Sequence, residues 1–339
     1  MAHEVSYIRR DAGDMAYVGQ LPWHGYGTEL DPNADLDTWR IAAGMDWTVK
    51  EESILYWRPG AEALDVVPRR KALARSDTGD VLSIMAENYQ VVQPTEVLEF
   101  YRDLIETNDL RMHTAGVLQG GRKVWALAEL GERTIIHGKK DAVEGFVLLS
   151  TSYDGTLSTT CQFTTVRVVC ANTLGFAVRY TEEEKGDRGE GWIKIPHFKT
   201  FNPNEMKGYL GLSHEAWKQW TDTAKALHKR KVDRTEVVNF MMSLCYGQDE
   251  IEQGIDMDEL KSNSLPVQLI NVYESGVGQD MAGHTAWGLV NAVTRYADHE
   301  RRARDNGTRI HSAWFGAGAR MKNSAWQQAV DSFLEEKAA

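Results

Sequence analysis

Cysteine is scarce in this chain. Cys161, Cys170 and Cys245 are odd in number and show no C-x-x-C spacing, which excludes a disulfide framework and a zinc site built on paired cysteines. Reduced, buried thiols are the expectation. Long apolar runs are missing too, since no stretch approaches the roughly 18 apolar residues that a membrane span requires. Glu4, Arg9, Arg10, Asp11 and Asp14 break up the first residues, so no secretory leader is read there and a soluble cytoplasmic protein is expected. Catalytic signatures are equally thin. There is no H-E-x-x-H, no P-loop and no G-x-S-x-G, and His284, His299 and His311 are too widely spaced for H-x-x-x-H.

Positive charge is in deficit, with a formal net charge of −11 over 339 residues. Taken as an average this speaks against a nucleic-acid partner, which needs Lys and Arg gathered on one surface. The average hides local reversals. From Thr285 to Asn323, seven cations (Arg295, Arg301, Arg302, Arg304, Arg309, Arg320, Lys322) face three anions (Asp298, Glu300, Asp305), leaving +4. A second basic run holds Lys225, Lys229, Arg230, Lys231 and Arg234 against Asp233. Either run also fits a solvated helix face.

What is present reads as an α+β chain: an antiparallel β-meander with packed helices, followed by a mainly helical C-terminal part. The composition suggests an α+β domain over 1–180 and a helical region over 192–339 packed on it, with the charged, Gly-rich 181–191 as the boundary. Val66 to Arg75 and Val81 to Ala86 flank a turn and predict a hairpin. A helix capped by Thr95 follows. Met112 to Leu118, Arg122 to Leu130, Glu144 to Ser152 and Thr156 to Phe163, separated by Gly120-Gly121, Gly138 to Asp141 and Asp154-Gly155, predict the meander. Beyond Phe163, Val166, Val169, Cys170 and Leu174 recur at helical spacing, with Thr164 or Thr165 as cap, although the β-branched residues leave a continued strand open. Further helices are expected after Ser213, over Thr235 to Cys245, from Thr285 to Arg304, and after Asn323 with Trp326, Val330 and Phe333 facing inward.

Four stretches carry a resemblance: Glu87 to Gln93, Ala115 to Trp125, Ser152 to Gly155 leading into Phe163 to Leu174, and Ala286 through Thr294 to Gly316. On these the chain resembles a phage- and plasmid-encoded family of unknown function found in mobile elements. More distantly, the layout of a GG-bearing hairpin, antiparallel strands and a crossing helix is similar to phage single-strand annealing recombinases. That likeness implies a non-enzymatic protein of the host cytoplasm, a single-stranded DNA partner, self-association into a homo-oligomer, no cofactor and no catalytic residue.

The candidate contacts follow from charge and turn chemistry. Arg122 and Lys123 stand beside a glycine turn where a backbone can approach a partner. Thr164, Thr165 and Arg167 would cradle a phosphate if a helix began there. Arg295, Arg301 and Arg302 would track the phosphate backbone, and Trp314 would stack on exposed bases. Tyr89, Trp125, Phe163 and Trp287 are weaker stacking candidates, with Trp125 read as core. Alternatives are a metal-dependent nuclease drawing on Glu87, Glu129 and Asp154, or a structural or host-interaction protein.

Overall fold

In the computed structural model, which describes residues 14–19, 27–60, 62–106, 110–138, 141–167, 172–175, 188–189, 192–202, 213–246 and 264–334, β-branched and aromatic residues set between tight turns build the first half from strands. These are β1 (Met15–Tyr17), β2 (Thr28–Glu29), β3 (Val49–Tyr56), β4 (Asp65–Arg75), β5 (Val81–Ala86), β6 (Arg111–Leu118), β7 (Lys123–His137), β8 (Asp141–Ser152), β9 (Thr159–Arg167), β10 (Asn172–Gly175), β11 (Arg188–Gly189) and β12 (Trp192–Ile195). Two helices interrupt them, α1 (Leu36–Ala42) and α2 (Pro94–Glu106). The second half is helical: α3 (Ser213–Lys229), α4 (Arg234–Cys245), α5 (Leu265–Ser275), α6 (Gln279–Ala282), α7 (Ala286–Arg295), a π-turn (Tyr296–Glu300), α8 (Asn306–Phe315) and α9 (Ala317–Phe333). The expected α+β layout, meander first and helices after, is what the chain forms.

The larger sheet runs β11-β12-β9-β8-β7-β6-β1-β2, with β10 also paired to β9. Among the described residues, β1–β2 is the one parallel pairing in it. A smaller sheet holds β3, β4 and β5, the last two being the expected hairpin.

Three local expectations are corrected. The helix read after Phe163 is strand: β9 continues to Arg167 and β10 returns along it, Thr164 opposite Gly175 and Val166 opposite Thr173. Runs of Thr and Val lose rotamer freedom in a helix and pack well on a pleated sheet, and here the neighbouring strand β8 decides the matter. α2 starts at Pro94, not beyond a Thr95 cap, because proline suits the first helical position and Glu96 reaches back to the Gln93 amide at 2.6 Å. Asn323 does not cap the last helix. It is an exposed residue within α9, whose buried face of Lys322, Ala325, Ala329 and Val330 overrides asparagine's weak helix preference. Cys170 and most of 181–191 lie outside the described residues.

One core links the sheet to the helices. Val124, Ala126, Ala128, Val147, Leu149, Cys161 and Phe163 share it with Trp217, Trp220, Leu269 and Trp287. Trp220 stacks between Trp217 (5.6 Å) and Trp326 (5.5 Å) and meets Trp287 edge-on at 5.9 Å, so α3, α7 and α9 are clamped by aromatic contacts. Burial pushes the Cys161 thiol up to about 12, which keeps it protonated and inert.

Candidate functional site

The residues of interest lie at one end of the sheet and on its face away from the main core. Along β7, Val124, Ala126 and Ala128 enter the main core, so the alternating Lys123, Trp125 and Leu127 point the opposite way. At the Lys123 end sits the glycine turn, with Gln119, Gly120 and Gly121 at φ of 55, 68 and 103°. A Cβ on Gly121 would stand 3.0 Å from Arg75 Cδ, so glycine lets the turn close over Arg75. Arg75 lies 4.3 Å over the Trp47 ring and forks onto Asp77 at 3.0 and 2.7 Å. That hydrogen bond holds the Asp77 carboxyl below its ordinary value.

Lys123 is only 2% exposed. Its Nζ donates to Gln119 Oε1 at 2.8 Å and stands 3.5 Å from Asp154 Oδ2. Burial pushes the Asp154 carboxyl upward, but hydrogen bonds from the Thr156 hydroxyl and amide, with the charge of Lys123, outweigh it and leave the group below its usual range. Tyr89 donates to the Ser152 carbonyl at 2.7 Å, the Tyr153 amide to the Arg122 carbonyl at 2.8 Å, and the Tyr153 hydroxyl to the Val92 carbonyl at 2.9 Å. Burial, and then the nearby Asp154, push the Tyr89 phenol well up. Three of the stretches singled out in the sequence therefore meet at one end of the sheet, in a network whose polar groups are satisfied internally.

The fourth stretch covers the sheet face that carries Trp125 and Leu127, whereas Tyr89, Val92 and Tyr153 belong to the main core. α8 lays Ile310, Trp314 and Phe315 over Trp125, Leu127, Phe146 and Leu148, and Trp314 meets Trp125 edge-on at 4.6 Å. Around it the arginines divide. Arg301 donates to Ser312 Oγ at 2.6 Å, and Arg309 to the carbonyls of His299 and Arg301 at 2.7 and 2.8 Å, where the π-turn leaves backbone acceptors in need of donors. Arg295 pairs with Glu300 at 3.2 Å. Arg302 and Arg320 are exposed, and the Arg304 side chain is 67% exposed beside Asp305. Asp305 caps α8; burial pushes its carboxyl up, and hydrogen bonds from Thr308 more than offset this.

Placement of the residues picked from sequence is as follows. Arg122 is exposed at the turn, whereas Lys123 next to it is buried and paired. Thr164 and Thr165 are buried successive residues of β9, hence on opposite faces, and no helix N-terminus exists there to complete an anion cradle. Thr164 is opposite Phe146, which is opposite Glu129, six residues from Lys123 along β7, or about 20 Å at strand rise. The side chain of Arg167 lies outside the described residues. Trp314 is half-buried; Trp125, Phe163 and Trp287 are core, and Tyr89 stacks on His197 at 4.3 Å. Glu129 lies near the middle of the β7–β8 pair, opposite Phe146, and Asp154 lies beyond its Lys123–Ser152 end, so the two do not converge. In the second basic run, Arg230 is held by Glu236 at 2.5 Å.

Sequence reading missed a buried ion pair beneath the arginines, in which Lys322 Nζ donates to Asp298 Oδ1 at 2.6 Å with both side chains at most 4% exposed. The signal was there: Lys322, Ala325 and Ala329 share one helix face. Among the described residues no group of three His, Cys, Asp or Glu is placed to hold a metal ion, and no helix is long and apolar enough to cross a membrane.

Compared with known proteins, residues 81–314 match the profile of a family described as a domain of unknown function (DUF932). No curated protein and no solved structure matches the chain.

Proposed function

The chain belongs to the DUF932 family, a domain of unknown function, and from that premise we propose that it binds single-stranded nucleic acid through the arginine-rich segment 301–320. One observation carries the reading. In a chain of net charge −11, this segment holds five arginines and one carboxylate, Asp305, for +4, and Arg302, Arg304 and Arg320 present their side chains to solvent. Phosphates are neutralised by such a cluster without reference to base sequence. Half-exposed Trp314, Phe315 and His311 lie within the same segment and offer faces for unstacked bases, each stack contributing about 1–3 kcal/mol. No chemistry on the polynucleotide is required. The fuller proposal is a recombination accessory or annealing factor of a phage or other mobile element, acting in the host cytoplasm.

Self-association has its own support. At the tip of the β3–β4 hairpin, Leu55, Tyr56, Trp57, Leu64 and Val66 form an exposed apolar group, with Trp57 59% and Val66 57% exposed. Apolar clusters of this kind mark contact surfaces. Light scattering should show an oligomer that a W57S/V66S variant converts to monomer.

Fluorescence anisotropy with labelled single-stranded and duplex oligonucleotides tests the binding itself. Affinity for the single strand should exceed that for duplex and fall by orders of magnitude between about 50 and 200 mM salt. Binding that is absent, or indifferent to salt, would sink the proposal.

A further inference from the structure

The small sheet of β3, β4 and β5 meets the rest of the molecule with one face. Val49, Leu73 and Leu82 enter the main core, Lys71 donates to the Tyr89 carbonyl at 2.8 Å, and Ser83, opposite Leu73, donates to the Tyr153 carbonyl. Side chains alternate along a strand, so the residues between these point outward. Two cross-strand rows make up that outer face: Lys50, Ala74 and Val81, then Glu52, Ala72 and Ile84.

Val81 is 59% and Ile84 57% exposed, and the alanines of the central strand are too short to fill the space between them and the Lys50–Glu52 edge. A shallow apolar trough is left open to solvent. Of the eleven exposed large apolar side chains among the described residues, seven belong to this sheet and its hairpin tip. At about half exposure each, they leave on the order of 700 Å² of apolar surface in water, close to the roughly 800 Å² that each partner contributes to a stable interface. That is more than the largest patch of most monomers. The two rows carry one cation, Lys50, and one anion, Glu52, so they offer no net charge with which to select an anionic lipid or a polynucleotide.

We infer that this face packs against the same face of a second copy of the chain, as two sheets stacked about 10 Å apart across a two-fold axis. An axis running across the strands between the two rows sets Lys50 of each copy against Glu52 of the other. Ala74 then lies over Ala72 and Val81 over Ile84, so apolar side chains close the trough from both sides. A face whose charges complement themselves favours its own copy over an unrelated partner. This packing presupposes the self-association proposed above and names its contact. It shares no residue with the arginine-rich segment 301–320, so it stands apart from nucleic-acid binding.

Sedimentation velocity on the full chain over a concentration series tests it with variants at the exposed positions Lys50, Glu52 and Ile84, which should fold with unchanged thermal midpoints. The parent should dimerise, and I84D should weaken the dimer at least about tenfold. K50E and E52K should each weaken it as well, since each sets like charges face to face. Mixing K50E with E52K should restore association, as should K50E/E52K in one chain, because both arrangements return every pair to opposite signs. The inference is overturned if I84D associates like the parent, or if the mixed and doubly exchanged proteins stay as weak as the single variants. An oligomer dissolved by W57S/V66S but not by I84D also overturns it, while leaving self-association through the hairpin tip standing. A parent that is monomeric throughout overturns both.

Discussion

The glycine-turn end of the sheet and the arginine-rich segment 301–320 look alike in sequence, each offering adjacent cations beside aromatics, yet they treat charge in opposite ways. At the turn, Lys123 is enclosed with Gln119 and Asp154, and Arg75 is enclosed with Asp77 and Trp47. Each charge is satisfied within its own sheet, and the two sheets are joined by Ser83 and Tyr89, which donate to the carbonyls of Tyr153 and Ser152. Around α8, Arg301 and Arg309 serve neighbouring hydroxyl and carbonyl groups, while Arg302 and Arg320 extend into solvent and Arg304, though largely exposed, pairs with Asp305 at 3.3 Å. Whether a cation is enclosed in the architecture or left on the surface is thus decided by strand register and helix face rather than by how many cations the sequence groups together.

The largest expected effect lies beneath the arginines. Lys322→Ala would leave Asp298 buried without its 2.6 Å partner, and should cost about 3–5 kcal/mol in chemical denaturation. A K322M/D298L double variant, which removes both charges, should recover most of that loss. At the turn, Lys123→Met should cost about 1–3 kcal/mol, since Gln119 and Asp154 lose a buried donor while Asp154 keeps Thr156. A Lys123→Met protein as stable as the parent would erase the distinction between the two regions.

Acid should reveal the same contrast more weakly. Asp77 and Asp154 have folded-state pKa values below the ordinary 3.8, so on lowering the pH the unfolded chain takes up protons first. Their contribution is complete above about pH 5 and fades as the pH falls through 3.8 toward the folded values. Asp154→Asn should flatten that part of the stability profile, measured by thermal midpoint against pH. Smallest of all is the expected effect of charge reversal at Arg302, Arg304 or Arg320, within about 0.5 kcal/mol of stability each, because an exposed guanidinium contributes little to folding.

The meander, the β4–β5 hairpin and the helical second half were legible from turn residues and periodicity. Gly120-Gly121 and Asp154-Gly155 punctuate the strands, and Trp326, Val330 and Phe333 mark the inner face of α9. The run after Phe163 was not, because Val and Thr at helical spacing also satisfy a strand whose faces are both covered, and only pairing with β8 and β10 resolves it. The candidate site was legible as a set of positions and not as an arrangement. Nothing local distinguishes exposed Arg122 from buried Lys123; the two-residue alternation of β7, anchored by Trp125 in the core, does so. Likewise Thr164 and Thr165 are adjacent in sequence and parted by the sheet itself.

Side-by-side anisotropy titrations of the parent and an R302E/R304E/R320E variant with one labelled single-stranded oligonucleotide test the central claim most directly. The parent should bind with a steep salt dependence, and the variant should lose at least about 2 from the slope of log affinity against log salt, as expected when three phosphate contacts on a single strand are removed. Equal affinity and equal slope in the two proteins would contradict the account and return the arginine segment to the status of a solvated surface.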